Sequence, residues 1–239
     1  MKYYIVHYNT PVLTECCCKS IIKNDTSAEI IVFDNSDKFP FNTNLSNVKI
    51  LDNTKGQLLN INIKLAEFIQ RNNISEQIIK EEKEIKSNFG SYKHSISVQW
   101  IFEHETESFI LLDSDVLLKK RCNDLITDLA FTADIENVET RIWPFIVYFN
   151  VKLLKEHEIA FLDGNTICPA KPVDTGYYFL QSCLTKKIKF NLINYEDYVV
   201  HYGNGSWKNN GNSFVSHFQT EQLSENEWLK KYKELYEHY

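Results

Sequence analysis

Short apolar runs separated by amphipathic stretches dominate the first half of the chain. Runs rich in β-branched and aromatic residues predict strands at residues 2–8, 28–33, 48–51 and 108–112, and the runs 2–8 and 108–112 predict buried ones. Apolar residues at helical spacing predict helices at residues 13–23 and 94–104. Strands and helices that alternate over short links predict a parallel sheet with helical crossovers. Ligands of such sheets bind beyond the carboxyl ends of the strands.

The second half of the chain has a less regular pattern. Apolar runs predict strands at residues 142–149 and 199–202 and a helix at residues 177–184. The pattern of residues 55–87 predicts a pair of solvent-facing helices, the second dense in charge, and the alternative is a segment that contacts an oligomer partner or the acceptor. Residues 223–239 have helical spacing, which predicts an amphipathic helix that packs on the domain or lies on a membrane surface.

Composition and charge exclude several classes of function. The 239 residues include seven glycines, and neither G-x-G-x-x-G nor the P-loop G-x-x-x-x-G-K-[ST] occurs. The formal net charge of −6 argues against a nucleic-acid-binding protein, because such proteins neutralise phosphates with basic side chains. A phosphorylated ligand would therefore need a metal ion or backbone N–H groups.

The chain lacks the sequence signals of a secreted or membrane-spanning protein. No apolar stretch approaches the roughly 20 residues of a membrane span, and the N-terminus reads as a strand instead of a signal peptide. The six cysteines include the adjacent Cys16, Cys17 and Cys18 but no C-x-x-C pair. This spacing favours buried thiols over a zinc site. We expect a cytoplasmic protein, and a peripheral contact with the inner face of the membrane stays open.

The segment FILLDSDVLL, residues 109–118, carries the strongest chemical signal. A buried strand leads into Asp113 and Asp115, whose side chains point the same way because alternate strand residues share a face. A divalent cation relieves the repulsion between two such carboxylates, and oxygen ligands suit Mg²⁺ or Mn²⁺. The alternative is a pair of exposed loop carboxylates that cap a helix.

Two known families resemble this segment. Phosphatases of the haloacid-dehalogenase type carry D-x-D-x-[TV] after an apolar strand, with the first aspartate as nucleophile. In that family the motif usually opens the chain, whereas here 112 residues precede Asp113. Metal-dependent GT-A glycosyltransferases carry their D-x-D in the middle of the chain, after the nucleotide-binding half, as this sequence does.

The resemblance to GT-A glycosyltransferases extends over most of the chain. The matching segments are YNTP at 8–11, DNS at 34–36, NFGSYKH at 88–94, DTG at 174–176 and HYGNGSW at 201–207. Their order along one chain is similar to that of GT2-like bacterial members with a D-x-D motif. The long segment 55–87 departs from that pattern.

The resemblance implies one α/β domain of GT-A type over residues 1–239, with a mostly parallel central sheet flanked by helices. Residues 1–118 correspond to the nucleotide-sugar-binding half, which ends in the D-x-D. Residues 119–222 correspond to the acceptor-side half, and residues 223–239 to the C-terminal amphipathic helix.

The resemblance also implies a set of site residues. The nucleotide is expected at Thr10, Pro11, Asp34, Asn35, Ser36 and Ser114. The donor sugar is expected at Asn88, Gly90, Ser91, His94 and Asp113. A Mn²⁺ or Mg²⁺ ion is expected at Asp113, Asp115 and His201. The acceptor is expected at Trp143 and Trp207. Asp174 is the expected general base.

The predicted function is metal-dependent transfer of a sugar from a nucleotide-sugar donor, UDP-linked, to a saccharide acceptor. The GT2 resemblance implies inversion, in which Asp174 takes the proton of the acceptor hydroxyl. The simpler roles are an N-cap for Asp174 and a surface or core position for His201. Two other functions stay open: a phosphatase with Asp113 as nucleophile, and a non-catalytic saccharide- or nucleotide-binding module.

Overall fold

A computed structural model describes residues 1–77, 79–80, 89–136, 141–162 and 175–201, with the backbone alone at the last two positions. Its strands are β1 (Lys2–His7), β2 (Glu29–Asp34), β3 (Val48–Asp52), β4 (Phe109–Asp113), β5 (Val116–Leu118), β6 (Phe131–Glu136), β7 (Arg141–Phe149), β8 (Asn191–Leu192) and β9 (Val199–His201). Its helices are α1 (Pro11–Asn24), α2 (Ile61–Arg71), α3 (Gly90–His104), α4 (Val151–Glu156) and α5 (Tyr177–Thr185).

The described strands form one large and one small sheet. The large sheet has seven strands in the order β3-β2-β1-β4-β7-β6-β8, and the small one pairs β5 with β9. Within the large sheet, β7 runs antiparallel to both of its neighbours, and every other pairing is parallel. The predicted mostly parallel α/β sheet with flanking helices is therefore confirmed.

The strand register brings the ends of the central strands to one edge of the sheet. In the parallel pairs, His7 lies beside Asp34 and Val6 lies beside Asp113. The antiparallel β7 pairs Ile146 with Leu112, so its amino-terminal half lies at the same edge. The polar residues that follow β1, β2 and β4 are consequently neighbours.

The two faces of the large sheet are covered by separate apolar clusters. One cluster joins the sheet to α2, α3 and α5, and contains the rings of Phe109, Phe149 and Phe179 at centroid separations of 5.3–5.4 Å. The other joins the sheet to α1 and to the β5–β9 pair. Trp100 packs on Phe33 with ring centroids 4.9 Å apart and adds its partly buried ring to the first cluster.

The described cysteines agree with the prediction of buried thiols. Cys17, Cys18, Cys122 and Cys183 are buried and form no disulfide, and Cys16 is half-buried. Burial raises the pKa of Cys18 and of Cys122 to about 12, so both thiols stay protonated. Within the same ranges, no helix has the length and apolar character that a bilayer crossing demands.

Several elements differ from the sequence prediction. The strands β5 and β6 were not predicted, because β5 has three residues and β6 reads FTADIE, with polar residues in a short run. The helix predicted from residue 94 begins at Gly90, since Phe89 takes the N-cap position with φ 59°. The predicted helical pair is represented by α2; residues 81–88 and the predicted helix 223–239 lie outside the described ranges.

Gly176 is the one position of the D-T-G segment where only glycine fits. Its φ is +86°, and an added Cβ would lie 2.9 Å from the carbonyl oxygen of Ile142 and closer still to the Ile142 side chain. We expect Gly176→Ala to lower the free energy of unfolding by about 2 kcal/mol or more, through backbone strain and overpacking. Urea denaturation measures this, with Gly90→Ala as control because a Cβ there meets no atom within 4 Å. Equal stability of the two variants would contradict the expectation.

Candidate active site

The two aspartates of the D-x-D lie where β4 passes into β5. Asp113 is the last residue of β4 and its side chain is 18% exposed, whereas Asp115 is 2% exposed. The Oδ1 atom of Asp113 lies 3.7 Å from Nε2 of His94 on α3. A strand follows the D-x-D, so the alternative that these carboxylates cap a helix is wrong.

The small sheet brings the backbone of His201 to the D-x-D. In the antiparallel β5–β9 pair, His201 lies opposite Val116, the residue that follows Asp115. Sequence patterns could not reveal this pairing, because a three-residue strand carries no signal for its partner. The side chain of His201 lies outside what the structure describes.

The chemistry of this donor set suits a hard or borderline divalent cation. Two carboxylates and an imidazole are ligands that Mn²⁺ and Mg²⁺ accept. Among the described side chains, which do not include that of His201, no group of three such ligands is assembled. Burial, with the carboxylates of Asp115 and Asp113 nearby, raises the pKa of Cys17, so its thiol stays protonated.

The start of α3 meets the segment that follows the predicted base. Thr175 donates a hydrogen bond from its Oγ1 to the carbonyl oxygen of Ser91, at 3.4 Å. Gly176 packs against Ile142 of β7. Asp174 lies outside the described residues, as do Asn88 and Trp207. The structure thus joins the donor-side and base-side segments through Thr175 and Ser91, and the roles of the undescribed residues stay predictions.

Asp34 and Ser36 hold the loops that follow β1 and β2. The two carboxylate oxygens of Asp34 accept hydrogen bonds from the backbone N–H of Ser36 at 2.9 Å and of Phe41 at 2.7 Å. Ser36 accepts one on its Oγ from the backbone N–H of Asn9, at 3.0 Å. Because Asp34 and Ser36 are both buried, they act here as loop anchors. Their predicted contact with the nucleotide is untested.

Asn9 joins the same two loops from the side of β1. Its φ is 58°, in the left-handed region that asparagine tolerates better than most residues. Its Oδ1 accepts hydrogen bonds from the backbone N–H of Lys38 and of Phe39, and its Nδ2 donates to Asp37. The asparagine of the YNTP segment therefore connects the ends of β1 and β2.

Thr10 and Pro11 begin α1 at this edge. Pro11 is the first helical residue, and Thr10 occupies the N-cap position without a capping hydrogen bond from its side chain. Within the described part of the chain, the buried Oγ1 of Thr10 has no hydrogen-bond partner. Since a buried hydroxyl is stabilised by a partner, Thr10 is suited to contact a ligand here. Ser114 lies in the turn between the two aspartates.

The aromatic environment of Trp143 restricts its predicted acceptor role. The ring of Phe145 stacks on Trp143 with a centroid separation of 5.0 Å and an interplanar angle of 10°. The guanidinium of Arg141 lies 4.4 Å from the same ring centroid. A sugar could therefore stack only on ring surface that these two side chains leave open. The acceptor role of Trp143 stays a prediction.

His7 is a residue of this edge that the sequence analysis did not single out. It is fully buried, its Nδ1 lies 2.7 Å from Oγ1 of Thr14, and its Nε2 lies 3.3 Å from the carbonyl oxygen of Phe39. The carbonyl can only accept, so Nε2–H donates and Nδ1 accepts the hydroxyl proton. The sequence did contain a signal for His7, because a polar residue stood at the end of an apolar run that was predicted to be a buried strand.

Comparison with known proteins gives structural similarity alone. No family model and no curated protein sequence matches this chain. The galactosyltransferase LgtC, in complex with donor and acceptor sugar analogs, is 13% identical with a TM-score of 0.43, over 82% of this chain and 74% of LgtC. The apo glycosyltransferase GlyE of Streptococcus pneumoniae TIGR4 is 14% identical with a TM-score of 0.47, over 87% of this chain and 49% of GlyE. Mouse xyloside xylosyltransferase 1 is 9% identical with a TM-score of 0.48, over 82% and 86%.

These similarities are distant, and the chain spans only about half of GlyE. The names of the three proteins match the enzyme class that the motifs resemble. The function of this chain is therefore argued from its own residues.

The buried His7 predicts a pH dependence of stability. Burial lowers the pKa of His7, and the Asp34 carboxylate 3.8 Å away opposes this only in part. The unfolded chain, with an ordinary histidine pKa of about 6.5, then binds the proton more readily than the folded one. The stabilisation is complete above that pKa and is lost as the pH falls through the folded pKa.

We expect the free energy of unfolding to fall between about pH 7 and about pH 5 by up to about 1.4 kcal/mol per pH unit from this group. His7→Gln keeps a donor and an acceptor but does not titrate, so it should show a smaller fall in urea denaturation. Parallel curves for the two proteins would count against a neutral, buried His7.

Proposed function

We propose that this chain is a metal-dependent glycosyltransferase, of the hexosyltransferase class, that moves a sugar from a UDP-linked donor to a saccharide acceptor. The observation that carries the proposal is the meeting of three segments at one edge of the sheet. The D-x-D ends β4, the start of α3 places His94 beside Asp113, and β9 runs antiparallel to β5 with its His201 backbone opposite Val116. Carboxyl ends of parallel strands are where such folds bind nucleotides.

The nucleotide is proposed to lie over the ends of β1 and β2. The hydroxyl of Thr10, which has no partner among the described residues, offers a hydrogen bond at the start of α1, and the positive end of that helix favours an anionic ligand. Asp34, Asn35 and Ser36 contribute by fixing the loop that faces the ligand. Ser114 lies between the two carboxylates and completes the proposed nucleotide site.

Asp113, Asp115 and His201 are the residues that would hold Mn²⁺ or Mg²⁺. Bound there, the ion would supply Lewis-acid stabilisation of the charge that develops on the leaving diphosphate. The chain itself keeps Asp115 almost fully buried, which fixes its direction, and leaves Asp113 half-buried beside His94. Gly90 and Ser91, at the start of the same helix, flank the proposed position of the donor sugar, with Asn88 preceding them in sequence.

Asp174 is proposed as the general base of an inverting reaction. Its carboxylate would take the proton of the acceptor hydroxyl as that oxygen attacks the anomeric carbon. The hydrogen bond from Thr175 to Ser91 supports this role, because it keeps the residue after Asp174 beside the donor-side start of α3. Trp143 and Trp207 are the proposed acceptor contacts, and the expected setting is polysaccharide synthesis in the cytoplasm, at or near the inner face of the membrane.

The metal assignment predicts Mn²⁺-dependent binding of UDP. Isothermal titration calorimetry should show tighter UDP binding with Mn²⁺ than without it, and Asp115→Asn should remove about 10-fold or more of that gain. The control is Asp128→Asn, which changes an exposed carboxylate in the link between β5 and β6. This variant should bind UDP as the unmodified chain does. UDP affinity that ignores Mn²⁺, or an undiminished gain in Asp115→Asn, would refute the metal assignment.

The base assignment predicts a separation of binding from turnover. Asp174→Asn should retain the donor affinity of the unmodified chain but lose about 10²-fold or more of its transfer rate, since general-base help is of that size. The measurement is release of UDP from a set of UDP-sugars with saccharide acceptors, with Asp128→Asn again as control. Retained transfer would exclude Asp174 as the base, and phosphate release from a simple phosphomonoester that Asp113→Asn abolishes would favour the phosphatase.

A further inference from the structure

A chain of side-chain hydrogen bonds runs from the end of β3 to the middle of α3. Asn53 donates from Nδ2 to Oδ1 of Asn35 at 2.8 Å. Asn35 donates from Nδ2 to Oγ of Ser97 at 3.0 Å, and Ser97 donates to the carbonyl oxygen of Lys93 at 2.9 Å. These three side chains, Asn53, Asn35 and Ser97, are called the polar chain below.

The direction of every bond in the polar chain is set at its Asn53 end. Oδ1 of Asn53 accepts from the backbone N–H of Leu58 and of Leu59, so its Nδ2 must face the other way. That orientation makes the facing atom of Asn35 its oxygen, and turns the Nδ2 of Asn35 toward Ser97. The hydroxyl of Ser97 accepts a hydrogen bond from Asn35 and donates its own proton to the carbonyl oxygen of Lys93 in the same helix.

Backbone hydrogen bonds tie the polar chain to three strand ends. The N–H of Asn53 donates to the carbonyl of Asp34 at 2.8 Å, and the N–H of Asn35 donates to the carbonyl of His7 at 3.0 Å. Asn53 is 4% exposed and Ser97 is fully buried, so water cannot replace their partners. These hydrogen bonds fix the position of Ser97 relative to the ends of β1, β2 and β3.

Ser97 lies one helical turn beyond His94 on α3. Residues three apart on a helix share a face, so a shift or rotation of the helix at Ser97 carries His94 with it. His94 in turn places its Nε2 3.7 Å from Oδ1 of Asp113. The same helix face therefore meets the strand ends through Ser97 and the D-x-D through His94.

We propose that the polar chain is a positioning device that holds His94 against Asp113, with Ser97 as the positioning residue that acts through His94. The effect of this positioning on donor and metal binding rests on the proposed function. The positioning of His94 itself does not depend on that function. It also gives Asn35 a scaffold role, because both ends of its amide are engaged within the chain.

The test begins with Ser97→Ala, which removes the hydroxyl and leaves Nδ2 of Asn35 without its acceptor. Ser182→Ala is the control for the loss of a buried serine hydroxyl from a helix, α5, because that hydroxyl has no hydrogen-bond partner among the described residues and no bond is broken. Ser97→Cys keeps the shape with a weaker donor and acceptor, and serves if the alanine variant does not fold. The ring resonances of His94, identified with His94→Gln, should shift in Ser97→Ala, less in Ser97→Cys, and not in Ser182→Ala. Unchanged His94 resonances would overturn the positioning role.

The functional consequence is measured as Mn²⁺-dependent UDP affinity by calorimetry. Ser97→Ala should lose up to about 10-fold of the Mn²⁺-dependent gain, because removal of a group that directly orients a metal ligand costs about 10-fold or more and Ser97 reaches the ligand Asp113 only through His94, whereas Ser182→Ala should lose none. In the His94→Gln background, Ser97→Ala should cause no further loss, because its effect passes through His94. Additive losses would overturn that route.

The two proposals fail in different ways. A chain without any Mn²⁺-dependent UDP binding contradicts the proposed function and leaves the resonance experiment to decide the positioning role. A chain that binds UDP with Mn²⁺, but whose Ser97→Ala variant matches it in affinity and in His94 resonances, contradicts the positioning role alone.

Discussion

The backbone hydrogen bonds that pair β1 with β2 and with β4 determine where this chain can do chemistry. All three strands run in the same direction, so the residues that follow them emerge at one edge of the sheet. A slip of one residue would turn Asp34 or Asp113 to the opposite face and force the apolar residues beside them to repack against the other cluster. Apolar clusters on both faces of the sheet oppose such a slip, and the core thereby fixes the position of both carboxylates.

At that edge, buried polar side chains replace the regular hydrogen bonding of strands. The amide of Asn53 and the carboxylate of Asp34 together receive four backbone N–H groups of the following loops. An unpaired buried N–H costs more than its bond gains, so these side chains restrict the loops to few conformations. His7 adds a neutral imidazole between α1 and the loop after β2. The loops of this edge are therefore held in place by the chain's own hydrogen bonds, while the buried hydroxyl of Thr10 has no partner among the described residues and is left for a ligand.

The antiparallel elements give the site its second side. β7 runs against the direction of β4, which brings its start, with Ile142 and Trp143, to the edge where β4 ends. Gly176 approaches Ile142 too closely for any side chain, and Thr175 reaches Ser91 on α3. The β5–β9 pair adds the backbone of His201 next to Asp115. Residues that are 34 positions apart (Ile142 and Gly176) to 85 positions apart (Val116 and His201) are thus neighbours.

The α/β class and the strands that lead into the polar motifs could be predicted from the sequence. Three of the apolar runs stand out because β1, β2 and β4 are buried on both faces and need nearly continuous apolar residues, whereas β3 at the sheet edge is half-buried to exposed. The D-x-D and its place after a buried strand could also be predicted, because both depend only on residues that are adjacent in the sequence. The strands β5 and β6 could not be predicted, because a three-residue strand and a strand interrupted by polar residues have no distinct periodicity.

Which residues contact each other could be seen only in the tertiary structure. It paired β9 with β5, set His94 beside Asp113, and engaged Asp34, Asn35 and Ser36 in loop hydrogen bonds that their motif does not reveal. It also singled out His7, Asn53 and Ser97, which lie in no motif. The physical reason is that periodicity along a chain records which side of an element is buried, whereas a hydrogen-bond partner is set by the packing of elements far apart in sequence.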